Sequence, residues 1–106
     1  MVKQRKQYKL RYLPLFWEDL SSATNYIAFE LKNPKAALRL VDEVEKEILS
    51  HLQNPTIASV YRTTRNRKNP YYWFSVKNYM VFYVIIDDIV EMRRFIFKSR
   101  DIEELI

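Results

Sequence analysis

The feature that most constrains the fold is an uninterrupted run of apolar and aromatic residues, Tyr79 to Ile86, bounded by Asn78 and by Asp87-Asp88. The run is far shorter than the roughly 20 residues that a membrane-spanning helix needs. Its β-branched and aromatic content, with turn-forming residues on both sides, is typical of a strand buried on both faces. The sequence therefore predicts that this segment is the central strand of a sheet.

Shorter patterns on either side of this run predict further strands. Apolar and basic residues alternate over residues 8–12 until Pro14, which predicts a half-buried N-terminal strand. Val60-Tyr61 predicts a short strand, and residues 72–76 and 90–96 have alternating apolar positions typical of two more. In the last of these, Met92 and Ile96 belong to one alternating set. Arg93 and Arg94 are neighbours on that strand and should point to opposite faces, so at most one of them belongs to a shared site.

Between the first strand and the others, apolar residues recur every three or four positions, which is typical of amphipathic helices. The first stripe consists of Phe16, Leu20, Ala23, Ile27 and Leu31, and the second of Ala37, Val41, Val44, Ile48 and Leu52. Asn33-Pro34 interrupts them, with Asn33 placed to cap the second helix. We therefore predict a two-helix hairpin.

This order of elements predicts the α+β class: an N-terminal strand, a two-helix hairpin, and then an antiparallel three- to four-stranded meander, β-α-α-β-β-β. A chain of 106 residues fits one domain over residues 1–106. We expect the basic residues 1–6 to be a flexible N-terminal segment. No targeting signal core or membrane-spanning segment is expected.

Composition excludes several classes of site. The chain contains no glycine and no cysteine, which excludes glycine-rich phosphate loops, disulfides and cysteine-based metal sites. His51 is the only histidine, and no acidic or histidine partner lies at metal-ligand spacing from it, so we expect it to be structural. We predict no metal and no cofactor, and a cytoplasmic location suits the absence of cysteine.

Positive charge is concentrated in two blocks. Residues 1–15 contain five basic residues and no acidic one, and residues 61–85 repeat that balance. The second block interleaves aromatic rings with cations, as RNA-binding surfaces do. A solvated loop beside a strand explains the pattern equally well. The candidate target-binding or RNA-binding residues are Arg62, Arg65, Arg67, Lys68 and Lys77.

Three parts of the sequence together carry a resemblance to a known family. They are the opening strand with its helical hairpin, the strand that runs from Asn78-Tyr79 through Tyr83, and the ending Arg100-Asp101-Ile102-Glu103-Glu104-Leu105. Over roughly residues 7–106 the chain resembles the RelE/ParE superfamily of toxins. The resemblance implies the growth-inhibiting half of a bacterial type II toxin–antitoxin pair. A cognate antitoxin would neutralise it in a hetero-oligomer.

The superfamily has two kinds of target. RelE-like members cut mRNA in the ribosome, and ParE-like members inhibit DNA gyrase. The ribonuclease pattern has arginine directly after the strand tyrosine, where this chain has Met80. Arg100 matches a ribonuclease catalytic position, but the ending of the chain looks more like ParE. The resemblance therefore favours gyrase inhibition, with ribosome-dependent mRNA cleavage as the alternative.

For that alternative, the candidate catalytic residues are Arg100, Tyr79 and Tyr83. Either tyrosine could shuttle a proton if nearby cations lowered its pKa. The competing interpretation is that both rings pack in the core, as tyrosines on a central strand commonly do. A third hypothesis, an RNA-binding module without toxicity, depends only on the charge and aromatic content of residues 61–83.

Overall fold

The structure, a computed structural model, describes residues 7–62 and 68–106. The elements are β1 (Lys9–Tyr12), α1 (Pro14–Asn25), a π-helical turn (Tyr26–Glu30), α2 (Pro34–Leu52), β2 (Ser59–Tyr61), β3 (Tyr71–Val76), β4 (Tyr79–Ile86), β5 (Ile89–Phe97) and α3 (Ile102–Leu105). This confirms the α+β prediction and adds a short C-terminal helix. The basic segment 1–6 and the residues Arg65 and Arg67 lie outside the described residues.

The strands form one five-stranded sheet in the order β1-β5-β4-β3-β2. The β1 strand runs parallel to β5, and the remaining neighbours are antiparallel. The prediction that Tyr79–Ile86 is the central strand is confirmed. The two hairpin turns use Lys77 and Asp87 with φ of 52° and 56°. Each costs roughly 1–2 kcal/mol, because no glycine is available for these left-handed positions.

The two long helices cover one side of the sheet, which we call the helical face. The Asn33 side chain accepts a hydrogen bond of 3.1 Å from the Ala36 N–H and so caps α2 as predicted. The residues that fill this face form one continuous apolar cluster with the strands. Its members are Phe16, Leu20, Leu40, Val44, Ile48, Phe74, Val76, Val81, Tyr83, Val90, Met92 and Phe95.

The first helix departs from its predicted stripe at the π-helical turn. The Leu31 N–H donates to the Tyr26 carbonyl over 3.1 Å, a spacing of five residues where an α-helix has four. This widened turn rotates the following residue away from the sheet. Leu31 is therefore 56% exposed, and the prediction that it shares the buried stripe is wrong.

The opposite side of the sheet, which we call the C-terminal face, has its own smaller core. Here α3 covers the strands. The cluster consists of Tyr71, Phe82, Val84, Ile96 and Ile106, with Tyr61, Trp73, Met80, Ile86, Ile102 and Leu105 packed against it. The central strand is thus buried on both faces, which explains its uninterrupted apolar sequence.

A β-bulge at Arg93 changes the phase of β5. Tyr83 is opposite Met92 while Phe82 is opposite Arg94, so Arg93 has no partner on β4. Because an extra residue reverses the alternation, Met92 packs on the helical face and Ile96 on the C-terminal face. The prediction of one alternating set is therefore wrong.

Within residues 7–62 and 68–106, no helix combines the length and the apolarity required to cross a bilayer.

Candidate functional site

A cleft of about 530 Å³ opens where α1 and the π-helical turn meet the end of β5 and the C-terminal segment. Tyr26, Tyr79, Phe97 and Leu105 supply much of its apolar lining, and Arg100 also lines it. Tyr26 and Phe97 remain 55% and 41% exposed, so the cleft continues onto an accessible aromatic surface. Such a concave site with few polar groups suits the binding of an apolar side chain.

The cleft brings together two of the three candidate catalytic residues, Tyr79 and Arg100. Arg100 is exposed and follows β5, and no described residue forms an ion pair with it. The Tyr79 ring stacks on Phe95 at 4.6 Å between centroids. Burial, with a smaller contribution from Tyr26, raises the pKa of the Tyr79 hydroxyl. The condition that nearby cations lower this pKa is not met.

The third candidate, Tyr83, lies in the core and not in the cleft. It is fully buried, and its hydroxyl donates a hydrogen bond of 2.6 Å to the Pro55 carbonyl. The ring also stacks on Tyr72 at 5.5 Å. Burial, with a smaller contribution from Tyr72, raises the pKa of Tyr83 strongly. The geometry agrees with the core-packing interpretation.

The candidate basic residues of the second block do not form one site among the residues that the structure describes. Arg62 follows β2 and Lys68 precedes β3, while Lys77 lies in the turn after β3. The six residues of β3 separate these ends by roughly 20 Å at about 3.3 Å per residue. Lys77 instead pairs with Glu43 of α2 at 3.6 Å. Arg65 and Arg67 lie outside the described residues.

Two residues that the sequence did not single out as a pair, Asp19 and Arg94, line the cleft and fix its shape. Arg94 Nε and Nη2 donate to the two oxygens of Asp19 at 2.7 and 3.1 Å. Arg94 Nη1 also donates to the Leu105 carbonyl, which ties α3 to β5. The Asp19 carboxylate accepts a further bond of 3.0 Å from the Phe95 N–H at the strand edge that β1 leaves free. The cleft is therefore held between three elements.

Sequence patterns carry no signal for this pair, since the two residues are 75 positions apart. The expectation that Arg93 and Arg94 point to opposite faces is also wrong. Arg94 is opposite Phe82, and Arg93 pairs with Glu91, which is opposite Val84. Phe82 and Val84 both belong to the C-terminal face, so the bulge places both arginines on that side.

His51 has structural contacts, but the expectation that it has no acidic partner at ligand spacing is wrong, since its Nδ1 lies 4.0 Å from Glu47 Oε2 one helical turn earlier. Its Nδ1 lies 2.8 Å from the Glu47 carbonyl, and its ring stacks on Phe74 with a centroid distance of 3.9 Å. Across the described part of the chain, no three potential metal ligands come together.

Comparison with known proteins places this geometry in context. The profile of a family described as ParE toxin of type II toxin-antitoxin system, parDE, matches residues 10–102. A solved structure described as the chromosomal ParDE TA system from P. aeruginosa aligns with a TM-score of 0.70. That alignment has 11% identity and covers 87% of this chain and 97% of the other, which supports a shared fold. No curated protein matches the sequence.

Proposed function

Because the chain belongs to the ParE family of toxins of type II toxin–antitoxin systems, we propose that it arrests bacterial growth by binding DNA gyrase. The observation that carries this proposal is the composition of the cleft. Among its described lining residues, Arg100 is the one cation without an acidic partner, beside largely apolar walls. An exposed arginine with neighbouring aromatic rings is typical of protein-binding hot spots.

Cleavage of RNA would require a different set of groups. The 2′-hydroxyl must lose its proton, the phosphate charge must be neutralised and the leaving oxygen must be protonated. Tyr83 is inaccessible, and the raised pKa of Tyr79 makes its hydroxyl a weaker acid. Met80, which follows Tyr79, can neither carry charge nor donate a hydrogen bond. These features support a toxin that acts by binding.

The cognate antitoxin, in this proposal, covers the same cleft. An apolar side chain of the antitoxin would enter between Tyr26 and Phe97, and an acidic side chain would pair with Arg100. Both aromatic rings are about half exposed and would become buried in such a complex. Antitoxin and gyrase would then compete for one surface in the cytoplasm, which explains neutralisation by simple occlusion.

The test is inhibition of DNA supercoiling by purified gyrase. Arg100→Ala should weaken inhibition at least tenfold, since hot-spot arginines contribute roughly 2 kcal/mol or more. Lys98→Ala is the matched control, because Lys98 is a nearby exposed cation that does not line the cleft. Both variants should unfold at the wild-type temperature, as exposed substitutions rarely change stability by more than about 0.5 kcal/mol. Full inhibition by folded Arg100→Ala would contradict the proposal.

One observation favours the alternative, ribosome-dependent mRNA cleavage: Tyr79 and Arg100 line the same cleft. Primer extension on mRNA in a translating extract distinguishes the two activities. New 5′ ends that disappear with Tyr79→Phe, without inhibition of gyrase, would establish the nuclease and overturn the gyrase proposal.

A further inference from the structure

A second group of charged side chains lies away from the cleft, on the C-terminal face where β1 borders β5. Glu91 is only 4% exposed, although it is a carboxylate. Its Oε2 accepts a hydrogen bond of 2.7 Å from Arg11 Nε, and its Oε1 lies 2.6 Å from Arg93 Nε. One buried carboxylate therefore holds two arginines from neighbouring strands.

The two guanidinium groups keep further donors available. Arg11 directs Nε and Nη2 to the same carboxylate oxygen, whereas Arg93 Nε is close to the other oxygen as an ion pair and forms no hydrogen bond with it. Their side chains are 48% and 31% exposed. Among the described residues, neither arginine pairs with any acid besides Glu91, so the three residues carry a net charge of about +1. A bound anion would complete the charge balance.

Glu91 also reduces the conformational entropy that the two arginine side chains lose when a ligand binds. A free surface arginine loses conformational entropy when a ligand immobilises it. Here the carboxylate orients Arg11 through a hydrogen bond and holds Arg93 close through an ion pair before any ligand arrives. Arg11 and Arg93 are thus preorganised, whereas exposed lysines on α2 are not.

The surroundings of this site are also positive. Lys9 lies two residues before Arg11 on the same side of β1, and its Nζ is 4.0 Å from Asp88, at the limit of an ion pair. Lys9 and Arg11 therefore present two cations on one side of β1, which favours anions at this edge of the sheet.

We propose that Arg11 and Arg93, positioned by Glu91, bind phosphodiester groups of a nucleic acid backbone. A planar guanidinium group can donate two hydrogen bonds to two oxygens of one phosphate. Each phosphodiester carries one negative charge, which would balance the net charge of about +1 on these three residues. An acidic polypeptide is the competing ligand. It fits less well, because peptide docking depends on apolar anchors and α3 already covers the apolar residues of this face.

This site is distinct from the proposed gyrase surface, since neither arginine lines the cleft. Nucleic acid binding would therefore give the toxin a second binding surface, which recognises the charged backbone and not the base sequence. Its failure would leave the gyrase proposal untouched, and the two are tested on separate variants.

The experiment measures fluorescence anisotropy of a labelled 20-base-pair DNA duplex with the purified chain across a range of salt concentrations. Arg11→Gln and Arg93→Gln should each reduce the slope of log affinity against log salt by about 1, the change expected for one lost phosphate contact. Lys46→Gln removes the same charge from an exposed position on α2 and should change the slope far less.

Because these variants leave Glu91 with one partner, their folding is checked by thermal unfolding, and Arg11→Lys provides a second test. This change keeps the positive charge beside Glu91 and removes the planar guanidinium group. The affinity for the DNA duplex should therefore fall about threefold at unchanged net charge. Absence of binding, an equal slope change in Lys46→Gln, or wild-type affinity in folded Arg11→Lys would each overturn the proposal. Equally tight competition by polyglutamate would show that the site binds acidic polypeptides, and would also overturn it.

Discussion

The two faces of the sheet are built from the same central strand but depend on different interactions. On the helical face, two long helices bury a continuous apolar cluster whose residues lie at regular helical and strand spacings. On the C-terminal face, one turn of helix covers a smaller cluster, and charged groups flank it along β5. Local periodicity therefore determines the first face, while contacts between distant residues determine the second.

The largest effect is expected at a fully buried ring of the helical face. Phe16 is fully buried and contacts Phe95 edge-on at 6.1 Å between ring centroids. Phe16→Ala should lower the free energy of unfolding by roughly 3–5 kcal/mol, through lost burial and the cavity that remains. Denaturant unfolding measures this, with Phe29→Ala as control because Phe29 is 73% exposed. A loss below about 1 kcal/mol would mean that the helical face is not the main core.

A smaller but substantial effect is expected where the two faces are joined. Asp19→Ala removes the carboxylate that holds Arg94 and the Phe95 N–H, and leaves a mostly buried guanidinium without its ion pair. The free energy of unfolding should fall by about 3 kcal/mol.

The matched comparison is Asp42→Ala on the exposed side of α2, which should change stability by less than about 0.5 kcal/mol. The double variant Asp19→Ala with Arg94→Met should lose less than the sum of its single changes, since no unpaired charge remains. Strict additivity would indicate that the pair does not couple α1 to β5.

The smallest effect concerns the buried hydroxyl of Tyr83 on the helical face. Tyr83→Phe deletes the hydrogen bond to the Pro55 carbonyl and should cost about 1–2 kcal/mol. Tyr26→Phe, at an exposed ring, should be neutral.

The same variant changes the response to high pH. The folded state raises the pKa of Tyr83, so the neutral hydroxyl contributes stability that is complete below pH 10, the ordinary tyrosine value. That contribution declines as the pH rises above 10, because the unfolded chain then ionises first. Tyr83→Phe should therefore lose stability less steeply above pH 10 than the wild type. An identical decline of stability in both proteins would show that the ionisation of other tyrosines causes the loss of stability above pH 10.

Prediction from sequence is correct for elements determined by local patterns and wrong where contacts between distant residues determine the structure. The second helical stripe and the apolar run at Tyr79–Ile86 are local patterns, and both elements form where expected. The extra residue in β5 at Arg93 and the widened turn before Leu31 leave no local signal, because each depends on packing against another element. The family resemblance identified Arg100 and Tyr79 as candidate functional residues, and the structure adds that both line one cleft.

The parallel pairing of β1 with β5 also determines the stage of translation at which the sheet can be completed. Arg11 and Glu91 are 80 positions apart, so the first strand of the sheet has no hydrogen-bonding partner until β5 has been synthesised. Contacts this distant are slow to form, since a long loop must close before any interaction compensates its entropy. During translation the cleft and the paired arginines are therefore assembled last, and a ribosome that stops before residue 89 releases a chain without either surface.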